Sequence, residues 1–223
     1  MKKLSLGTML GLIVGTFLCL SSVSWAQTTR AQNSADVDLN ARLKETESSP
    51  RMLEAAYKTG GKVASFCANC HGEGGNSATP ETPNLAGQNT SYLLEQLRQF
   101  ADGRRKNPFM EGMIRALNAD EKIGVVLYYA SKDVTYKPPS NAQLAAKGQD
   151  YYNKICFRCH GDQGRGNETI ARIAGQQPAY LGITLKRYRD GSALRKDPLM
   201  AANTKTMSDA DIDAVVAYVS SLK

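Results

Sequence analysis

Two five-residue segments hold most of the chemistry this chain can perform: Cys67-Ala68-Asn69-Cys70-His71 and Cys156-Phe157-Arg158-Cys159-His160. At the Cys-x-x-Cys-His spacing, two thiols bond covalently to the vinyl groups of one haem while the adjacent imidazole reaches its iron. The chain has two histidines and five cysteines; both histidines and four of the cysteines lie in these segments. The competing uses of four such cysteines are two disulfides or one zinc site. Zinc ribbons bring their Cys-x-x-Cys pairs within ~15–20 residues. Here the pairs lie 89 apart and a histidine trails each. The spacing favours two covalently bound haem c groups, with Cys67, Cys70, Cys156 and Cys159 as attachment points and His71 and His160 as iron ligands.

An iron held by one imidazole takes a second axial ligand, and no histidine is left to supply it. Methionine suits the position, because a soft thioether stabilises ferrous iron and raises the reduction potential. Beyond residue 26 the methionines are Met52, Met110, Met113, Met200 and Met207. An internal repeat chooses among them. Leu85-Ala86-Gly87-Gln88 recurs as Ile173-Ala174-Gly175-Gln176, and Tyr92-Leu93 as Tyr180-Leu181. Phe100-Ala101-Asp102-Gly103 recurs as Tyr188-Arg189-Asp190-Gly191, and Asn107-Pro108-Phe109-Met110 as Asp197-Pro198-Leu199-Met200. The offset drifts only from 88 to 90, so the copies are collinear. Two copies mean two domains rather than a solenoid. Met110 and Met200 are equivalent, standing 39 residues after His71 and 40 after His160. Met113 aligns with Asn203, and Met207 aligns with Leu117 and reads as an apolar contact. A lone methionine usually packs a core. The recurrence selects Met110 and Met200 as the second iron ligands.

The elements that must position these residues read as helical. Ser49 caps a helix with Pro50 at its first position, running towards Cys67 and broken near Gly60-Gly61. Thr90 to Asp102 places Tyr92, Leu93, Gln96, Leu97 and Phe100 at helical spacing, with Gly103 to end it. Asn118-Ala119-Asp120-Glu121 is a capping box opening a helix to about Ser131. The second copy repeats this pattern with a cap at Ser140, a helix over Pro178 to Asp190, and Ser208-Asp209-Ala210-Asp211 opening a helix to Leu222. No alternating apolar run argues for a sheet. The fold class expected is all-α.

The chain opens with Lys2 and Lys3, an uncharged apolar stretch over residues 4–20, and Ser24-Trp25-Ala26 before Gln27. That is an export signal cleaved after residue 26, its apolar part being short of the ~20 residues a spanning helix needs. Residues 27–49 form a polar N-terminal extension, expected to be mobile. The first domain is expected over 50–131, a linker over 132–139 containing Pro138-Pro139, and the second domain over 140–223. The net charge of +7 is uneven. Residues 51–131 carry 9 basic against 8 acidic side chains, residues 132–223 carry 14 against 9. A basic balance alone is compatible with nucleic acid, but export and the lack of any nucleic-acid motif argue against it. The excess on the second domain reads either as a solvated face or as a docking surface for an acidic partner or an anionic membrane.

With both Cys-x-x-Cys-His-Gly segments, the Leu/Ile-Ala-Gly-Gln and Tyr-Leu repeats, the stretch before Met110 and Met200, and closing helices with Tyr128 and Tyr218, the chain resembles the dihaem class I cytochromes c of the c4 type. The resemblance covers roughly residues 55–223. It implies two tandem class I cytochrome c domains related by a pseudo-twofold, each with a low-spin His/Met haem. It also implies an electron carrier in the periplasm, serving redox proteins such as a donor and a terminal oxidase, at times from the membrane surface. No small-molecule substrate is expected. In this family the proximal imidazole donates its second N–H to a carbonyl before Ala-Gly-Gln, often a proline's. Pro83 stands there in the first copy and Ala171 in the second, so unequal potentials are expected. Tyr92, Tyr180, Phe100 and Tyr188 read as core or haem packing. Gln88, Gln176, Arg104, Arg105, Arg187 and Arg195 read either as partners of haem propionates or as solvated surface. The alternative is a dihaem redox enzyme, of peroxidase or thiosulfate-oxidising type, or the cytochrome subunit of a dehydrogenase complex. An enzyme needs an open or unusually ligated iron, and the chain has no spare cysteine or histidine beyond residue 26.

Overall fold

Ten α-helices and one short 3-10 helix build residues 38–223, which are the residues described by this computed structural model. The export signal expected over residues 1–26 lies outside them. The first helix, α1 (Leu39–Ser48), falls in the segment expected to be mobile. Asp38 caps it by accepting from the Asn40 and Ala41 amides at 2.9 and 3.3 Å. Leu43 is 2% exposed and joins the first core, with Leu39 packed beside it. Three well-placed side chains (Leu39, Leu43, Thr46) suffice to dock a helix this short, too few to register as an amphipathic pattern in the sequence.

The helix α2 (Pro50–His71) starts on the Ser49 cap with Pro50 at its first position, as read. It runs unbroken through Gly60-Gly61, where a break was expected. Gly60 serves a crossing instead. α2 packs against α5 (Ala119–Ala130), and a Cβ on Gly60 would stand 2.0 Å from the Gly124 carbonyl oxygen. The second copy uses the same device where α6 (Ala142–Lys154) crosses α10 (Asp209–Val219). There a Cβ on Gly148 would meet the Ala214 oxygen at 1.9 Å.

The capping boxes at Asn118/Glu121 and Ser208/Asp211 are both formed. The cap of α6 is Asn141 rather than Ser140, its side chain accepting from the Leu144 amide at 2.9 Å. α10 stops at Val219, short of Leu222. Between these pairs lie α3 (Thr90–Ala101) and α4 (Pro108–Ala116) in the first half, α8 (Pro178–Arg189) and α9 (Pro198–Thr204) in the second. The halves differ at the second Cys-x-x-Cys-His segment. α6 ends at Lys154, and a separate four-residue helix, α7 (Phe157–His160), carries Cys159 and His160.

Each half has its own apolar core: Leu94, Ile123 and Val126 centre the first, Tyr152, Ile212 and Val219 the second. Met207 is buried in the second core, the apolar role read for it. Among the described residues the sole extended pairing is one antiparallel bridge between Arg105 and Arg195. Among them, too, no helix is long and apolar enough to cross a membrane.

Candidate functional site

In the first half, Cys67, Cys70 and His71 occupy the last turn of α2. Both thiols are free; Cys67 is half-buried, with its Sγ donating to the Val63 carbonyl at 3.4 Å, and Cys70 is exposed. His71 is buried, and its Nδ1 lies 2.9 Å from the Pro83 carbonyl oxygen. A carbonyl can only accept, so the ring donates Nδ1–H and Nε2 keeps its lone pair. Burial holds this imidazole below its ordinary pKa, with the Pro83 bond opposing and the Arg105 charge reinforcing the shift. The neutral ring is the form that ligates a metal. The Pro83 loop is itself pinned, because Leu85 and Ala86 both donate to the Gly75 carbonyl at 2.7 and 3.1 Å.

The second half repeats these hydrogen bonds around a half-buried histidine. His160 Nδ1 lies 2.9 Å from the Ala171 oxygen, and Ile173 and Ala174 donate to the Gly164 carbonyl at 2.7 and 3.0 Å. Burial again lowers the imidazole pKa. Alanine in place of proline leaves the distance unchanged. Cys156 is half-buried, its thiol pushed up to about 11 by desolvation, and Cys159 is exposed.

Met110 and Met200 are each the third residue of their helix, after a proline at the first position. Their amides donate to the capping side chains of Asn107 at 3.1 Å and Asp197 at 3.0 Å. The copies thus share one local design, with a carboxylate in the second where the first has an amide. Among the described residues no three His, Cys, Asp or Glu side chains converge on one point. The cysteine pairs therefore do not meet in a joint metal site. Free thiols, a neutral imidazole with one ring nitrogen already engaged, and a soft thioether form a donor set that fits covalent haem.

Sequence reasoning missed the seam between the halves. Gln88 and Gln176, read as propionate partners or solvated surface, are both buried there. Gln176 Oε1 accepts from the Asn84 amide at 2.7 Å, and its Nε2 donates to the Asn84 carbonyl at 3.0 Å. Gln88 does the same to Arg172, at 2.7 and 2.8 Å. Such reciprocal pairing is what a twofold requires. Arg195, read in the same two ways, is buried; it donates to the hydroxyls of Tyr92 at 2.6 Å and Tyr180 at 2.7 Å. Arg105 donates to Tyr180 at 3.0 Å and Gln96 at 2.8 Å. Burial would raise the Tyr180 phenol, but the Arg195 and Arg105 guanidiniums outweigh it and hold it below its ordinary value. Tyr92 and Tyr180 thus spend their hydroxyls on the seam, while Phe100 and Tyr188 are buried as read. The recurrence of Ala-Gly-Gln was the available signal, since spacing cannot show which surface a glutamine faces.

The profile of the cytochrome c family matches residues 57–121 and 145–223. A thiosulfate dehydrogenase electron acceptor from Thiomonas intermedia is 35% identical over 74% of this chain and 82% of its own length. Cytochrome c4 from Thiocapsa roseopersicina is 33% identical, over 72% of this chain and 89% of its own. The solved structure of reduced cytochrome c4 from Pseudomonas stutzeri superposes with a TM-score of 0.69 at 28% identity, covering 75% of this chain and 98% of that one.

Proposed function

This chain belongs to the cytochrome c family, as a dihaem electron carrier of the c4 type with covalently bound haem c, and from that premise we propose how it works. The irons are ligated by His71 with Met110 and by His160 with Met200, and the protein carries electrons in the periplasm towards a terminal oxidase. When bound, haem supplies a one-electron ferric–ferrous couple; the chain's residues hold it with little reorganisation and leave it no open position for substrate. The observation that carries this reading is the repetition of one arrangement. In each half an imidazole is fixed through Nδ1 and a methionine sits at the capped start of a helix. Arg105 and Arg195 bring positive charge to the seam, and neither forms an ion pair among the described residues, so they are the candidates to neutralise haem propionates. Visible spectra of the oxidised and reduced protein, with and without carbon monoxide, test the ligation. Sharp reduced bands unmoved by carbon monoxide are expected. A shift would indicate an open iron and favour a dihaem enzyme.

A second reading concerns the donor. The relative from Thiomonas intermedia accepts electrons from a thiosulfate dehydrogenase. Electrons entering this chain from such an enzyme would be seen as rapid haem reduction when the enzyme and thiosulfate are mixed with the oxidised protein.

A further inference from the structure

We propose that each proximal imidazole is tuned by a glutamine of the opposite half: Gln176 acts on His71, and Gln88 acts on His160, each through a single peptide group. This rests on His71 and His160 being the iron ligands proposed above. The peptide joining Pro83 to Asn84 is engaged at both ends. Its carbonyl accepts from His71 Nδ1 at 2.9 Å, and its N–H, which belongs to Asn84, donates to Gln176 Oε1 at 2.7 Å. The peptide joining Ala171 to Arg172 is engaged in the same way, by His160 Nδ1 at 2.9 Å and by Gln88 Oε1 at 2.7 Å. Each relay crosses the seam, and the two cross in opposite directions.

An amide is conjugated, so a hydrogen bond accepted from its N–H increases the negative charge on its oxygen. A more basic oxygen draws the Nδ1 proton, gives the ring more imidazolate character and makes Nε2 a stronger donor, which favours ferric iron. The glutamines cannot rotate freely to avoid this. Each side-chain Nε2 is held by the next carbonyl on the same strand of chain, Asn84 O at 3.0 Å for Gln176 and Arg172 O at 2.8 Å for Gln88. Both are buried, at 8% and 7% exposed, where a hydrogen bond is not diluted by water.

The test uses the full chain with both haems, and follows the two midpoint potentials separately by assigned haem-methyl resonances during a redox titration. Gln176→Leu is expected to raise the potential of the haem on Cys67 and Cys70 and leave the other in place. Gln88→Leu is expected to raise the potential of the haem on Cys156 and Cys159 alone. Asn89→Ala is the control: Asn89 also bridges the seam, to the Arg165 and Ile170 carbonyls at 3.0 and 2.8 Å, without touching either peptide. It is expected to produce no crossed shift. If a glutamine variant moves both haems alike, moves the haem of its own half, or moves neither, the relay is overturned. Should one variant fail to fold, its mirror carries the same test. The wild type adds another, since fast amide exchange at Asn84 and Arg172 would overturn it directly. A wild-type spectrum without His/Met character would instead defeat the ligand assignment, whatever the potentials do.

Discussion

A carbonyl at 2.9 Å from each Nδ1 settles what each histidine has left to give, a single free Nε2 lone pair in a neutral ring. The partner of that nitrogen is the residue-scale question. If Met110 and Met200 are the second ligands, replacing either by Ala frees one iron position. Met110→Ala should lose about half of the weak red sulfur-to-iron(III) band and gain carbon monoxide binding at one haem, and Met200→Ala should do the same at the other. Unchanged spectra would dismiss the assignment. The local charge differs between the sites, since Asp197 caps the second methionine helix where Asn107 caps the first. A carboxylate beside an iron favours its ferric state, so Asp197→Asn should raise the potential of the second haem and leave the first unmoved in the same titration. The equivalence of Met110 and Met200 was legible in the sequence because duplication isolates what two copies share. The equal imidazole bonds were not, because a backbone carbonyl is available whichever side chain precedes it.

The elements repeat less faithfully than the motifs they carry. Ala64 and Tyr129 on α2 and α5 have as counterparts Tyr152 and Val219 on α6 and α10, all four buried. The bulky side chain has changed helix, with valine rather than alanine facing it, an exchange a packed core tolerates when the apolar pattern is kept. Gly60 cannot change in this way. Gly60→Ala should cost about 1–3 kcal/mol or more, read as a lower thermal midpoint, because a methyl group there meets backbone rather than a side chain that can move. Gly112, exposed within α4 with nothing near its Cβ position, is the contrast: Gly112→Ala should stabilise by roughly 0.4–1 kcal/mol. For α1 the test is Leu43→Ala. A side chain 2% exposed should cost about 2–5 kcal/mol on truncation, whereas a mobile extension would cost nothing. The helix starts were readable because caps are local. The continuity of α2 was not, because glycine reads alike as a breaker and as a place of close approach.

At the scale of the whole molecule, the uneven charge has a kinetic consequence. The second half carries the excess of basic side chains, among them the exposed Arg187 and Lys205. Electrostatic steering towards an acidic partner raises association on the order of tenfold or more, and salt removes it. The second-order rate of electron transfer to such a partner should therefore fall as ionic strength rises. Arg187→Glu with Lys205→Glu should flatten that dependence without altering the visible spectrum, as followed by stopped-flow absorbance. A rate insensitive to salt in the wild type would show that the charge is a solvated surface only.

Taken by itself, the sequence determined the cofactor count, the two Cys-x-x-Cys-His segments, the twofold plan and most helix starts. All of these are written in short spacings or in the register of two copies, and both survive without coordinates. Tertiary structure decided which glycines mark crossings, that residues 39–48 dock, and that Gln88, Gln176 and Arg195 leave the surface for the seam. Those outcomes depend on which faces meet across 84 to 103 residues of chain, as in the bonds from Gln88 to Arg172 and from Arg195 to Tyr92. A polar side chain satisfied by water and one satisfied by a distant backbone amide are spelled with the same letter.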